Sequence, residues 1–381
     1  MKGCVFCTII IFAFFVLCPL KVLCVTNDSD NSSIIDEQYD AIGAYKLESN
    51  LPNGVFDSLK KSGVNSPKPD DMQNFSIGGF FNGLFSQMVD VIKAPFSILA
   101  GCFAILLFCA LFEGLKNTTS LALDGALGIV TAVCTCGIII TPIIGCINIV
   151  SGTIRSFGNF MLCFIPVFTG VIATSGGTLS SIGYNTALFS LSQIISSITA
   201  DVLLPFMGVF LAFSIAGSIS GQFKISGLTS AVKKTVIFTL SLLITLFVGL
   251  FSVQNMVSAS TDGLSMKTAK FISSSFVPVV GSALSEALSS VMGCLGLIKT
   301  SIGGFGILIC ILTFVPPILT VIFFLISISF AGGFAEAVGI PSMSAMMSAV
   351  KDCLSVLLSF LICYGILIII TTSIMIKIGT G

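Results

Sequence analysis

The sequence predicts an all-α, polytopic helical membrane protein with a small N-terminal extracytoplasmic head, broken or kinked spans and interfacial amphipathic helices. Three observations predict it. Charged residues form 9% of the 381 residues, and mean hydropathy is +1.09. Ten of the seventeen acidic residues precede residue 91, leaving residues 95–377 almost charge-free. A water-soluble domain must show polar atoms to solvent, whereas a bilayer accepts an apolar exterior and needs about 20 apolar residues per crossing.

Residues 1–24 read as a secretory signal peptide. Lys2 opens it, Val5 to Leu17 form its apolar core, and Val22-Leu23-Cys24 offers a small-residue cleavage site. An uncleaved first helix is the alternative, and either form implies export of the polar segment behind it. Residues 25–94 form the expected head, with Asp28, Asp30, Asp36, Glu37 and Asp40 at its start and turns at Pro52-Asn53-Gly54 and Pro67-Lys68-Pro69. So short and polar a segment predicts a loosely folded unit with short helices and little core of its own. Phe80, Phe81, Leu84, Phe85, Met88, Val89 and Ile92 then recur near helical spacing. They form either a helix lying in the membrane interface or an extension of the first span.

Residues 95–377 form the multi-span domain. Its apolar stretches are Pro95–Phe112, Ala126–Val150, Phe160–Ala173, Ala187–Ile219, Thr235–Val253, Ile302–Phe330 and Cys353–Ile376. The third covers only about 21 Å of a roughly 30 Å core, and the fourth would extend about 50 Å. Asp201 and Pro205 interrupt the fourth. An acidic side chain at the bilayer centre costs about 2.5–3.5 kcal/mol, so Asp201 marks a break or an interface. The cluster Lys224, Lys233 and Lys234 favours a cytosolic loop, which requires an odd number of crossings before it. A re-entrant third stretch gives three and a hairpin in the fourth gives five. Pro316-Pro317 predicts a break or kink in the sixth.

Residues 254–301 differ in composition, with Asp262, Lys267, Lys270, Glu286 and Lys299 interleaved among Phe271, Ile272, Phe276, Leu284 and Leu288. That spacing predicts amphipathic helix, broken at Pro278. Asp262, Met266 and Lys270 share a face, with Lys267 beside them; the segment lines a polar route, docks a subunit, or simply turns its charges to water. Met343, Met346 and Met347 form a shorter segment of this kind after Pro341. Ser175-Gly176-Gly177 allows a tight turn or close helix approach. Phe164-Ile165-Pro166-Val167 is echoed by Phe276-Val277-Pro278-Val279, as duplicated transporter halves would be. The candidate functional residues are therefore Asp201, Asp262, Lys267, Lys270, Pro278, Gly176 and Gly177.

Composition also excludes functions. With no histidine and Arg155 as the single arginine, histidine acid–base catalysis, Ser-His-Asp and Cys-His arrangements and most zinc sites are removed. Seventeen basic and seventeen acidic side chains cancel, so there is no basic field for nucleic acid. The fourteen cysteines lie mainly among Leu, Ile and Phe and read as packing residues. No catalytic site, cofactor or metal is expected.

Ser252-Val253-Gln254, Thr261-Asp262-Gly263-Leu264, Lys267-Thr268-Ala269-Lys270-Phe271-Ile272 and Phe276-Val277-Pro278-Val279-Val280-Gly281 carry a family resemblance. With Ser175-Gly176-Gly177, Leu204-Pro205 and the order of spans, the chain resembles stage III sporulation protein AE. The resemblance implies a membrane component of a multiprotein channel between mother cell and forespore, required for late forespore sigma factor activity. It implies a multi-pass location in the mother-cell membrane facing the forespore. Its partners would be the other membrane subunits of that complex and membrane lipid, with self-association left open. It transfers no catalytic motif. The competing expectation is a secondary permease moving a small solute, favoured by broken helices and the internal echo.

Overall fold

The computed structural model describes residues 31–52, 54–115, 122–197, isolated positions between 208 and 262, and 281–377. Among them there is helix and no strand. Four short helices come first: α1 (Asn31–Ile42), α2 (Lys46–Ser49), α3 (Val55–Lys61) and α4 (Pro69–Gln73). Long ones succeed them: α5 (Ile77–Leu115), α6 (Ala122–Thr174), α7 (Thr178–Ser197), α8 (Gly281–Val338) and α9 (Pro341–Lys377). Positions 251–253 and 260–262 are helical as well. The stretches Val133–Thr174, Val291–Val338 and Met343–Lys377 are each long and apolar enough to cross a membrane.

The second and third apolar stretches are one helix. α6 runs for 53 residues through Pro142 and Pro166. The polar group Ser151 to Ser156 separates the two stretches in sequence. It fits inside a helix because Thr153 returns its hydroxyl to the Ile149 carbonyl at 2.8 Å and Arg155 is exposed. A re-entrant third stretch is thus replaced by the end of α6. Among the described residues, three long helices, α5, α6 and α7, precede Lys224. Residues 187–197 of the fourth stretch are the end of α7, while the hairpin expected around Asp201 and Pro205 and the leader 1–24 lie outside the described residues.

The 58-residue α8 likewise continues through Pro316 and Pro317. Two prolines free the carbonyls of Leu312 and Thr313, but tertiary packing holds the helix on both sides of them. The α5 helix is continuous for 39 residues from Ile77, so the Phe80–Ile92 region extends the first long helix.

The helices pack in register along an aromatic column. Phe157, Phe160, Phe164 and Phe168 stand three and four residues apart on α6, which puts their rings on one face. Adjacent centroids are 5.8, 5.6 and 5.3 Å apart. Phe314 and Tyr364 close on Phe157 at 4.9 and 5.9 Å. Lower down, the Phe164 ring lies directly on Gly306, and Gly303 faces Phe168 and Ile376. These pairings make α8 antiparallel to both α6 and α9. Where lipid replaces water, such close ring-on-glycine packing, not exclusion of water, holds helices together.

The head has no core of its own. Tyr39, Ala44, Leu47, Leu59 and Val64 are buried, and they belong to the same cluster as the long helices. Ile42 meets Gly170 of α6 and Met72 meets Gly304 of α8. The polar segment thus uses the bundle as its missing core, at the end where α6 finishes. Tyr39 donates to Glu48 Oε1 at 3.1 Å.

Candidate functional site

Helix α6 must reverse into α7 within three residues, and Ser175-Gly176-Gly177 does this. Gly176 has φ +89°, a left-handed conformation that strongly favours glycine. Its N–H donates to the Ala173 carbonyl at 3.1 Å, and the Gly177 N–H donates to Ile172 at 2.9 Å. This pair of bonds is a Schellman motif, which satisfies the last carbonyls of α6. A Cβ on Gly177 would stand 3.0 Å from Ile172 Cγ2 and 3.1 Å from its carbonyl oxygen. Gly176 is thus favoured by its φ and Gly177 by the narrow space beside Ile172.

Gly177 is also the N-cap of α7, since its carbonyl accepts from Ser181 N–H at 2.8 Å. Having no side chain, it cannot serve the free N–H groups of the first turn. Asp262 does so from more than eighty residues away. Its Oδ1 accepts from Leu179 N–H at 3.1 Å and its Oδ2 from Ser180 N–H at 3.0 Å. Asp262 is buried, so these charge-assisted bonds lie in a low-dielectric setting where the positive helix terminus stabilises a carboxylate. Phe251, earlier in the same segment, packs against Tyr184 of α7 with centroids 6.2 Å apart.

Further buried polar groups occupy the same end of the bundle. The Tyr184 and Thr372 hydroxyls are 3.3 Å apart, joining α7 to α9. Ser180 Oγ is buried with no hydrogen-bond partner among the described residues. Lys299, from the amphipathic segment 254–301, is buried, one turn before the Gly303 contact. No cluster of three metal-ligating side chains occurs among the described residues. Both Asp262 oxygens already accept backbone hydrogen bonds, so its geometry is that of a holding group.

Of the residues singled out from sequence, the structure brings Asp262, Gly176 and Gly177 into one junction. A Cβ at Gly177 would lie 3.8 Å from Asp262 Oδ2. Asp201, Lys267, Lys270 and Pro278 lie outside the described residues, as does the second copy of the Phe-x-Pro-Val echo. Sequence reasoning passes over Tyr184 and Ser180, because a lone tyrosine or serine in an apolar helix carries no distinguishing spacing.

The model of the family described as "Stage III sporulation protein AE" matches residues 63–379, taking in the junction and all of the long helices. This chain belongs to the stage III sporulation protein AE family. A relative bearing that name, from Bacillus subtilis (strain 168), is 28% identical over 249 residues. The alignment covers 64% of this chain and 61% of that relative, so the match extends over less than two thirds of the relative's length. No solved structure matches. Within the family match, the Asp262 cap and the Ser175–Gly177 turn are two parts of one feature.

Proposed function

We propose that this stage III sporulation protein AE family member is a non-enzymatic membrane component of the channel complex linking mother cell and forespore. In that role it supports late forespore sigma factor activity and spore development. It resides in the mother-cell membrane surrounding the forespore and works with the other membrane subunits of the complex. The family match over residues 63–379 carries this reading. The long apolar helices, three of which can span a bilayer, are consistent with it. A solitary permease is favoured by broken helices, and α8 runs unbroken through Pro316-Pro317, where a break or kink is expected from the sequence.

The test is deletion in a sporulating host carrying a reporter driven by the late forespore sigma factor. Loss of reporter after engulfment, restored by the intact chain, is expected. Normal reporter and normal spores in the deletion strain would overturn the proposal. Solute uptake by the purified chain alone in liposomes would favour the permease.

A further inference from the structure

Seven large apolar side chains on the described part of α5 are exposed: Ile77 (63%), Phe81 (52%), Phe85 (64%), Phe96 (61%), Leu107 (65%), Phe108 (57%) and Leu111 (70%). At 3.6 residues per turn the first five fall within an arc of about 120°, and Phe108 and Leu111 widen the exposed face to about 220° at the far end of the helix. Ile77, Phe81 and Phe85, beside the polar head, fall on the same face as Phe96 and Leu107 in the apolar part of α5. Exposed rings are expected where lipid surrounds a helix. Beside a head carrying Glu37, Asp40, Glu48, Asp57 and Asp70 on its surface, they need a specific cover.

The neighbouring helix shows what the cover is. α3 lies antiparallel along the start of α5, with the Lys61 carbonyl against Gly79 and Ser58 against Gly83. Phe56 is 57% exposed, and Lys60, one turn on and on the same face of α3, is exposed too. The α3 helix carries Lys60 and Lys61 against Asp57, a net single positive charge. At the same level α5 and α8 leave an open cavity of about 470 Å³ lined by Phe81, Asn82, Leu84, Phe85, Val315 and Leu319. Rings and an apolar groove at one depth, with lysine heads one helical turn further towards the charged head, match the layering of a phospholipid leaflet. Lysine stems lie along apolar surface while their ammonium groups reach the phosphates.

We propose that the α3–α5 face is a docking surface for anionic phospholipid in the leaflet on the head side. Phe56, Phe81 and Phe85 enter the acyl region, an acyl chain fills the groove beside Val315 and Leu319, and Lys60 and Lys61 meet the headgroup. This holds whether or not the chain works in the channel complex. It fixes the depth of the head, seating α3 in the membrane interface and not clear of it.

The chain has no tryptophan, so Phe56→Trp in the full-length protein places a single reporter on this face. The protein is reconstituted in phosphatidylcholine vesicles containing a minor fraction of phosphatidylglycerol, with bromine on the acyl chains of one lipid or the other. Expected is blue-shifted emission quenched by both brominated lipids. Per mole of brominated lipid, phosphatidylglycerol should quench roughly fivefold more, the enrichment one net basic side chain produces near an anionic surface. Lys60→Gln with Lys61→Gln should abolish that preference and leave the quenching depth unchanged. Emission at the wavelength of water-exposed tryptophan without bromolipid quenching would overturn the proposal. So would a preference for phosphatidylglycerol that survives the double lysine change, or none in the parent. Phe81→Trp supplies the same readout on α5 should Phe56→Trp fail to fold.

Discussion

Removing the Asp262 carboxylate tests the junction most directly, because its whole described contribution passes through two backbone N–H groups. Asp262→Ala leaves Leu179 and Ser180 N–H without acceptors, and Gly177 offers no substitute. Loss of a helix cap costs about 0.5–2 kcal/mol. A carboxylate near a helix N-terminus adds up to about 2 kcal/mol where water is largely excluded. The two contributions overlap, so about 2 kcal/mol is expected for the local opening of the first turn of α7. At 1.4 kcal/mol per factor of ten, amide hydrogen exchange there should accelerate about 30-fold. Asp262→Asn keeps one good acceptor oxygen and loses the charge, so roughly a fivefold acceleration is expected. The assay is hydrogen exchange with mass spectrometry in lipid nanodiscs, read on peptides covering residues 178–186. Peptides from the buried part of α9 serve as control, since a purely local cap leaves them unchanged. Exchange within twofold of the parent in the Ala variant would refute the assignment of Asp262 as the cap of α7.

The packing and the head supply three further tests. Gly176→Ala imposes a left-handed conformation on a residue with a Cβ and should destabilise the α6–α7 turn by about 1 kcal/mol, measured by the same exchange experiment. Gly306→Val puts side-chain atoms where the Phe164 ring sits; overpacking of this kind costs about 1–3 kcal/mol, and thermal unfolding in detergent should show a lowered midpoint. Burial, and then the neighbouring Glu48 carboxylate, raise the Tyr39 phenol above its ordinary value. The raised native value means the native state holds the proton more tightly, so this contribution is complete below about pH 10 and is lost as pH rises beyond it. Tyr39→Phe should remove that alkaline loss, and head unfolding between neutral pH and about pH 11 monitored by limited proteolysis checks it; an unchanged alkaline transition refutes the link.

The helical membrane class was legible because a charge-poor, apolar stretch of this length has few folds available to it. Helix boundaries were less legible. A few polar residues such as Ser151, Thr153 and Arg155 lower local hydropathy as a loop would. Thr153 instead bonds to its own helix backbone and Arg155 simply faces outward, neither of which a hydropathy scan can detect. Asp262 and the Gly176-Gly177 pair each stood out by residue type, yet their partnership did not. A side chain that caps a helix eighty residues away leaves no local periodicity, and the obvious neighbours of Asp262 along its own segment, Met266 and Lys270, drew the reading to one helix face. Lys299 shows the reverse: in sequence it belongs to an amphipathic segment whose charges line a polar route, dock a subunit or turn to water, and only the packing of α8 buries it.

The positions of these features along the bundle limit where a partner can act on them. Ile42 of the head contacts Gly170, and the α6 helix ends four residues later at Thr174. Met72 contacts Gly304, one turn beyond the buried Lys299. The head, the Schellman turn, the Asp262 cap and the Tyr184–Thr372 contact therefore share one end of the molecule. The Gly339 turn between α8 and α9 lies at the other, where Phe334 meets Phe103 at 4.7 Å. A ligand or subunit that shifts the head can move the α6–α7 turn directly, through Ile42 and Gly170. One bound near Gly339 must act along about 50 Å of helix, the length of the roughly 35 residues from Gly304 to Gly339 at about 1.5 Å each. Coupling over that distance requires an element with two arrangements, and the α6–α7 turn, held by one carboxylate from a separate segment, is the place to look for it. Deleting the head helices α1–α4 should therefore accelerate exchange in residues 171–182 more than in residues 332–345; equal acceleration at both ends would mean that the head stabilises the bundle as a whole and has no special relation to the turn.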